Sequence, residues 1–243
     1  MSLRDTASSD QAPAPGEWLS RLAHDLRGPL TPMQMAVQML QAPDVPAQRV
    51  RTLANTIDRQ INLLLRMAHA LDDMLIIGRG AFFLQLASYD LRTIIDSAVT
   101  IASRHTHNLG REMMPVVIRA PAAPVRVRAD DGRLSQLLAL LLADVPPDAW
   151  SDQGCWIGYE SVGDHAVVRL HDDARRIYRS ASVDYLSTGV APIDPGMLGM
   201  FSIIGRAIAV AHGASLAVGD EDECGIGELT LRLPLAIATE STS

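Results

Sequence analysis

Between Leu19 and Leu40 the apolar residues Leu19, Leu22, Leu26, Leu30, Met33, Val37 and Leu40 recur in steps of three and four. That spacing lines one face of an α-helix. The stretch QAPDVPAQ (41–48) breaks the run with two prolines. A second stripe follows: Val50, Leu53, Ile57, Ile61, Leu64, Ala68, Leu71 and Leu75, ending near IGRG with no internal Gly or Pro. Two long amphipathic helices joined by a short Pro-containing turn make a helical hairpin. A lone hairpin cannot cover its apolar stripes on all sides, and two chains pairing as a four-helix bundle is the economical solution. A homodimer is therefore expected; the alternative is that the hairpin docks on the C-terminal part of its own chain.

Three Trp, four Tyr and three Phe among 243 residues leave the cores to Leu, Ile, Val, Ala and Met. A net charge of −7 argues against wholesale binding to nucleic acid or anionic lipid. Cys155 and Cys224 lack metal-ligand spacing and read as buried thiols of a reduced compartment. No apolar run approaches the ~20 residues of a membrane span. The start, MSLRDTASSDQAPAPGEW, lacks the apolar core of a signal peptide, so a cytoplasmic protein is expected.

The organisation expected is a disordered N-terminus over 1–16, the hairpin over 17–80, a second domain over 81–238 and a tail over 239–243. Past Gly80 the texture changes. YDLRTIIDSAVTIASRHTHNL reads as a helix, while MPVVIRA and VRVRAD are short β-rich runs beside prolines. DGRLSQLLALLLADV is an apolar helix with Asp130 or Asp131 as its cap. CWIGYESVGDHAVVRLHD reads as two strands around a Gly-Asp turn. GMFSIIGRAIAVAHGASLAV is a helix closed by Gly213 with a strand behind it, and CGIGELTLRLPL is a last strand. Helices and hairpins that do not alternate regularly predict an α+β sandwich with helices on one face of a sheet.

Read together, these segments resemble a two-component histidine kinase from its dimerisation helices to its C-terminus, over roughly residues 17–236. HDLRGPL resembles the phosphoacceptor box, His-Glu/Asp-Leu-Arg-x-Pro-Leu. VRADDGRLSQLLALLLADV is similar to the N-box helix of the family's ATP-binding domain, and AVVRLHDDARRI lies where the family has Asp-x-Gly-x-Gly. GMFSIIGRAIAVAHGASL lies over the Gly-Leu-Gly-Leu box and its helix. The fold implied is a dimeric four-helix bundle followed by a histidine-kinase-type ATPase-like sandwich. The partner implied is the receiver domain of a response regulator.

Residue chemistry bears on the acceptor box independently. His24 lies two residues from both Leu22 and Leu26, about 200° around a helix, so its ring points away from the apolar seam. Imidazole retains a neutral, nucleophilic fraction near pH 7. Asp25 is placed to hold the proton of one ring nitrogen and orient the other, and Arg27 to offer charge to an incoming phosphoryl group. Pro29 removes a helix hydrogen bond and is expected to kink the helix past the site. In the family, a Thr or Asn four residues after the histidine accompanies phosphatase activity; Gly28 stands there, so strong dephosphorylation of a partner is not expected.

The resemblance also implies a nucleotide site, with ATP and Mg²⁺ as cofactors if it works. Its two N-box asparagines correspond to Leu140 and Asp144, of which Asp144 retains an oxygen suited to Mg²⁺. The basic residue that follows has become Pro146 and Pro147, which end the helix early. Asp172 matches the acid that reads the adenine amino group. The two glycines after it correspond to Ala174 and Arg176, and Arg176 is bulky enough to occlude the pocket. The last glycine box keeps Gly199 as its first glycine and replaces the second with Phe201, a poor member of a backbone phosphate cradle. The lid between Ile177 and Gly196 is short. Three altered boxes make ordinary ATP use doubtful.

His212 and Gly213 resemble the family's helix end, so His212 is read as structural. His105 and His107 form a weak H-x-H metal pair that would not share a helix face, and His69, His165 and His171 have no evident partner in the sequence. Three functions compete: a phosphorelay protein exchanging phosphate on His24, an ATP-dependent kinase with a divergent pocket, and a non-catalytic pseudokinase adaptor.

Overall fold

The computed structural model describes residues 15–108, 113, 115–150, 154–177, 181–189, 197–222 and 225–236. The expected disordered stretch lies outside these residues except for its last two, which open the first helix, and the expected tail over 239–243 lies wholly outside them. α1 (Pro15–Leu40) and α2 (Ala47–Gly78) form the hairpin, turning over residues 41–46. α1 runs on as one helix through Pro29 and Pro32. Within a single chain the hairpin buries Pro29 and Ala36, yet leaves Leu30, Val37, Val50 and Ile61 about two-fifths exposed.

The remaining elements are β1 (Ala87–Asp90), α3 (Leu91–Asn108), β2 (Ile118–Arg119), β3 (Arg126–Ala129) and α4 (Asp131–Leu142). Then come β4 (Cys155–Val162), β5 (His165–Asp172), α5 (Ala181–Thr188), α6 (Met197–Ala211), β6 (Ser215–Asp222) and β7 (Gly225–Pro234). Five strands make a mixed sheet in the order β2-β4-β5-β7-β6, with only the β2–β4 pair parallel; β1 and β3 form a separate antiparallel pair. The predicted α+β architecture is thus observed.

Sequence and structure differ at the start of α3. Tyr89 and Asp90, read as helical, belong to β1, and the Asp90 side chain accepts from the Arg92 N–H to start the helix at Leu91. Of the two candidate caps, Asp130 is the one that caps α4, accepting from Arg133 N–H at 3.1 Å. The β4–β5 turn falls at Gly163–Asp164, where Gly163 takes φ +62, a left-handed conformation cheap only for glycine.

The sheet has two unlike faces. On one, rows such as Tyr159–Val168–Leu231–Leu216 pack against α3, α4 and α6, forming a core that includes Leu134, Leu138 and Ile208. The other carries Trp156–His171–Glu228 and Gly158–Arg169–Thr230. Ala70 of α2 belongs to the same core, with Met74, Ile77 and Phe82 packed against it. The lower end of the hairpin therefore docks on its own C-terminal domain, while the upper part keeps its apolar surface open.

Candidate functional site

The His24 side chain is 86% exposed. Its Nδ1 faces Asp25 Oδ1 at 3.4 Å, a long contact in which a protonated Nδ1 donates to the carboxylate. Nε2 is consequently the ring nitrogen not turned toward Asp25. Arg27 and Gly28 are exposed beside it, and a Cβ placed on Gly28 meets no atom within 4 Å. Pro29 and Pro32 each remove a helix N–H in the next two turns, and the helix remains continuous. What α1 presents here is a nucleophile-bearing surface with room for a partner, not a pocket.

Of the residues read as a nucleotide site, Asp172 is satisfied from within its own loop, by Ala174 and Arg176. Asp172 is fully buried, and the Arg176 guanidinium donates to it from Nε at 3.1 Å and from Nη2 at 2.7 Å. The N–H groups of Arg176 and Ala174 donate to the same carboxylate at 2.5 and 3.3 Å. Burial pushes the Asp172 carboxyl up, but these donors outweigh it and hold the group below the usual carboxylate range. A further bond runs from Arg176 Nη2 to the Ala149 carbonyl at 3.2 Å. The loop passes through a left-handed conformation at Arg175 (φ +54), between the two positions that match family glycines. An L-residue there stores about 1–2 kcal/mol of backbone strain.

Leu140 lies across α6: a Cβ on Gly205 would meet its Cδ2 at 2.8 Å, so this pair lets the two helices approach closely. Asp144 is half-buried in the turn after α4, which ends four residues before Pro146 as its prolines suggest. Gly199 is buried in the first turn of α6, and Phe201 packs against the core. Of the lid, α5 and Gly189 are described; the segments 178–180 and 190–196 lie outside the described residues.

His212 is structural, as read. Its Nδ1–H donates to the Ile208 carbonyl at 2.8 Å, and its Nε2 accepts from the Asp130 N–H at 3.1 Å, which fixes a neutral ring. Burial holds its pKa below the ordinary histidine value. His105 is half-buried between α3 and α2, and burial together with the nearby Arg66 guanidinium lowers it to about 4. His107 is exposed, so the two do not converge, and among the described residues no three His, Cys, Asp or Glu side chains gather as metal ligands.

Sequence reading missed the partners of two histidines. His165 bonds Asp164 at 2.5 Å. His171 stacks on Trp156 with ring centroids 5.0 Å apart and bonds Asp173 at 2.8 Å, and the Arg119 guanidinium lies over the same Trp156 ring at 4.1 Å. Counting outward from the Gly163–Asp164 turn pairs Trp156 with His171, so that contact had a signal in the sequence. The buried Cys155 thiol is pushed up to about 12 by burial and the neighbouring Asp172, Arg176 opposing. Cys224 lies outside the described residues.

The hairpin, residues 15–80, matches the family described as His Kinase A (phospho-acceptor) domain. Among curated proteins, the sensor histidine kinase MtrB of Mycolicibacterium paratuberculosis is 30% identical over 128 residues, covering 51% of this chain and 22% of that protein. The signal transduction histidine-protein kinase BarA of Escherichia coli is 27% identical over 145 residues, covering 59% and 15%. The chain thus matches about a fifth or less of the length of these relatives. In fold it is similar to Acinetobacter baumannii histidine kinase AdeS, at TM-score 0.55 and 16% identity over 88% of this chain and 98% of that one. Histidine kinase ThkA, solved in complex with response regulator protein TrrA, gives TM-score 0.57 at 19% identity over 91% and 62%. Residues 15–80 are thus a His Kinase A phospho-acceptor domain, and the chain as a whole is similar in sequence and in two-domain fold to two-component histidine kinases.

Proposed function

We propose that the chain carries a phosphoryl group on His24 and exchanges it with an aspartate of a response regulator's receiver domain, without using ATP. The observation that carries this reading is a contrast within one molecule. His24 stands open in an intact acceptor box, whereas Asp172 is filled from inside the chain by Arg176.

In the forward step the Nε2 lone pair attacks the phosphorus of the receiver's aspartyl phosphate. The N–P bond forms, the P–O bond to the aspartate breaks, and the receiver's carboxylate leaves with that electron pair. Nδ1 keeps its proton, and the Asp25 carboxylate beside it balances the positive charge that develops on the ring. Arg27, exposed one turn along α1, is placed to meet the phosphoryl oxygens of a docked partner. The return step runs through the same atoms.

ATP fits the opposite end poorly. An adenine amino group needs an open carboxylate, and the Arg176 guanidinium already takes that role on Asp172. Leu140 and Phe201, at positions that match polar and glycine residues of the family, are packed into apolar contacts. The exposed hairpin residues Leu30, Val37, Val50 and Ile61 support a homodimer completed by a second copy, with the C-terminal domain bracing the bundle. No helix among the described residues is long and apolar enough to cross a membrane. The cytoplasmic setting we assign rests on the thiol usage and the receiver partner.

A second reading, an ATP-dependent kinase with a divergent pocket, has Asp172 in its favour, since that acid is retained and buried. Under it Asp144 holds Mg²⁺. Calorimetry with millimolar ATP and Mg²⁺ separates the two: the relay reading predicts no binding heat. The direct test is incubation with a phosphorylated receiver domain. Label is expected on the chain and absent from His24→Ala; an unlabelled chain, or equal labelling of the variant, refutes the proposal.

A further inference from the structure

The lower third of α2 is held to the C-terminal domain by a buried charge. Asp73 is 7% exposed, and its Oδ2 accepts from Arg133 Nη1 in the first turn of α4 at 2.7 Å. Gln136 braces the pair: its Oε1 accepts from the same Nη1 at 3.1 Å, and its Nε2 reaches Asp73 at 3.4 Å. The Arg133 guanidinium also lies 5.2 Å from the centre of the Phe82 ring in the linker. Behind it Asp130 joins three elements at once. One carboxylate oxygen caps α4 at Arg133 N–H, the other accepts from Gln85 N–H of the linker at 3.0 Å, and its own N–H donates to His212 of the α6 end.

An apolar contact through Ala70, Met74 and Ile77 would let two helices slide past one another; a half-buried ion pair on a buried carboxylate, with shared hydrogen bonds, tolerates one register. Its position matters for His24. Arg49 Nη2 approaches Met39 Sδ at 4.0 Å, so residues whose numbers sum to about 88 face each other across the hairpin. The α2 residue level with His24 is then near position 64, and Asp73 lies about 14 Å further down the axis.

We propose that the Asp73–Arg133 pair is an interdomain latch that keeps the C-terminal domain docked on the lower third of α2 and so leaves the His24 imidazole uncovered for a receiver domain. The gating half of this inference rests on His24 being the phosphoacceptor. The docking half does not.

The test uses the full chain with Asp73→Asn, Arg133→Met and the two combined, read by hydrogen–deuterium exchange. Each single variant is expected to speed exchange by about tenfold at Gln85 and in the first turn of α4, with β5 and β7 unchanged. The double variant exchanges no faster than the faster single, and Arg133→Lys restores most of the protection. Phosphoryl transfer from a labelled receiver to His24 slows by about threefold in the opened variants, because the freed domain intermittently covers the ring. Unchanged exchange, single effects that multiply in the double variant, or exchange rising equally in β5 and β7 overturns the latch, as does transfer at the unsubstituted rate from an opened chain. If the unsubstituted chain takes no label, the phosphoacceptor reading has failed, and the exchange result still decides the latch.

Discussion

Replacing Arg176 with Met tests whether its guanidinium is the internal partner of Asp172. The change deletes the Nε and Nη2 donors to Asp172 and the bond to the Ala149 carbonyl, while retaining most of the apolar stem. Removing one member of a buried ion pair costs about 3–5 kcal/mol. Two features lower that figure here. The Arg176 side chain is 39% exposed, and two backbone N–H donors stay on the carboxylate. A loss of about 2 kcal/mol at pH 7 follows.

The pH dependence carries the sign. A carboxyl held below its ordinary value contributes stability that is present above the unfolded pKa, about 3.9, and is lost as pH falls through the folded one. In Arg176→Met the burial of Asp172 persists without its main donor, so its carboxyl rises and protonation relieves the uncompensated charge. The deficit is therefore largest at neutral pH and shrinks toward pH 4. Urea unfolding followed by tryptophan fluorescence measures it: with a slope of about 2 kcal/mol/M the midpoint drops by about 1 M at pH 7. An unmoved midpoint at pH 7, or an equal drop at pH 7 and pH 4.5, refutes the pairing.

Two further outcomes follow from buried groups away from the acceptor. His105 is lowered to about 4, so the unfolded chain binds a proton there that the folded chain refuses, and stability falls as pH drops from about 6.5 toward 4. His105→Gln is expected to recover up to about 3 kcal/mol of that acid loss in unfolding titrations; an unchanged acid limb contradicts the burial argument. In a Cys224→Ser background the Cys155 thiol, fully buried and pushed up to about 12, is expected to resist maleimide at pH 8 until the chain is unfolded, and rapid labelling of the folded protein counts against its placement.

The parts of this molecule legible in its sequence are those governed by local periodicity. The two apolar stripes predict α1 and α2 within a few residues, and the Gly-Asp pair at 163–164 marks the β4–β5 turn. His212 was readable because it closes a helix at Gly213, where φ is +65. Contacts between distant segments were not readable. β1 is four residues long and pairs with β3 across an intervening helix, so nothing nearby marks Tyr89 and Asp90 as extended. Asp73 and Arg133 stand 60 positions apart, and only the docking of α2 on the C-terminal domain joins them.

Arg176 is an intermediate case. Its bulk at a position matching a glycine was visible, and its four-residue spacing from Asp172 suited an ion pair. That the guanidinium folds back onto the buried carboxylate depends on the turn through Arg175. The face of the acceptor helix was legible and the exposure of His24 agrees with it. The apolar stripe beside it, half uncovered in one chain, is the part of the pattern that the proposed homodimer would cover.

The central claim is that His24 receives phosphate from a receiver domain and not from ATP. The most direct measurement offers the chain two donors side by side, γ-labelled ATP with Mg²⁺ and a labelled phospho-receiver, with His24→Ala as control. The account predicts acid-labile label on His24 from the receiver alone. Label from ATP in the absence of any receiver contradicts it.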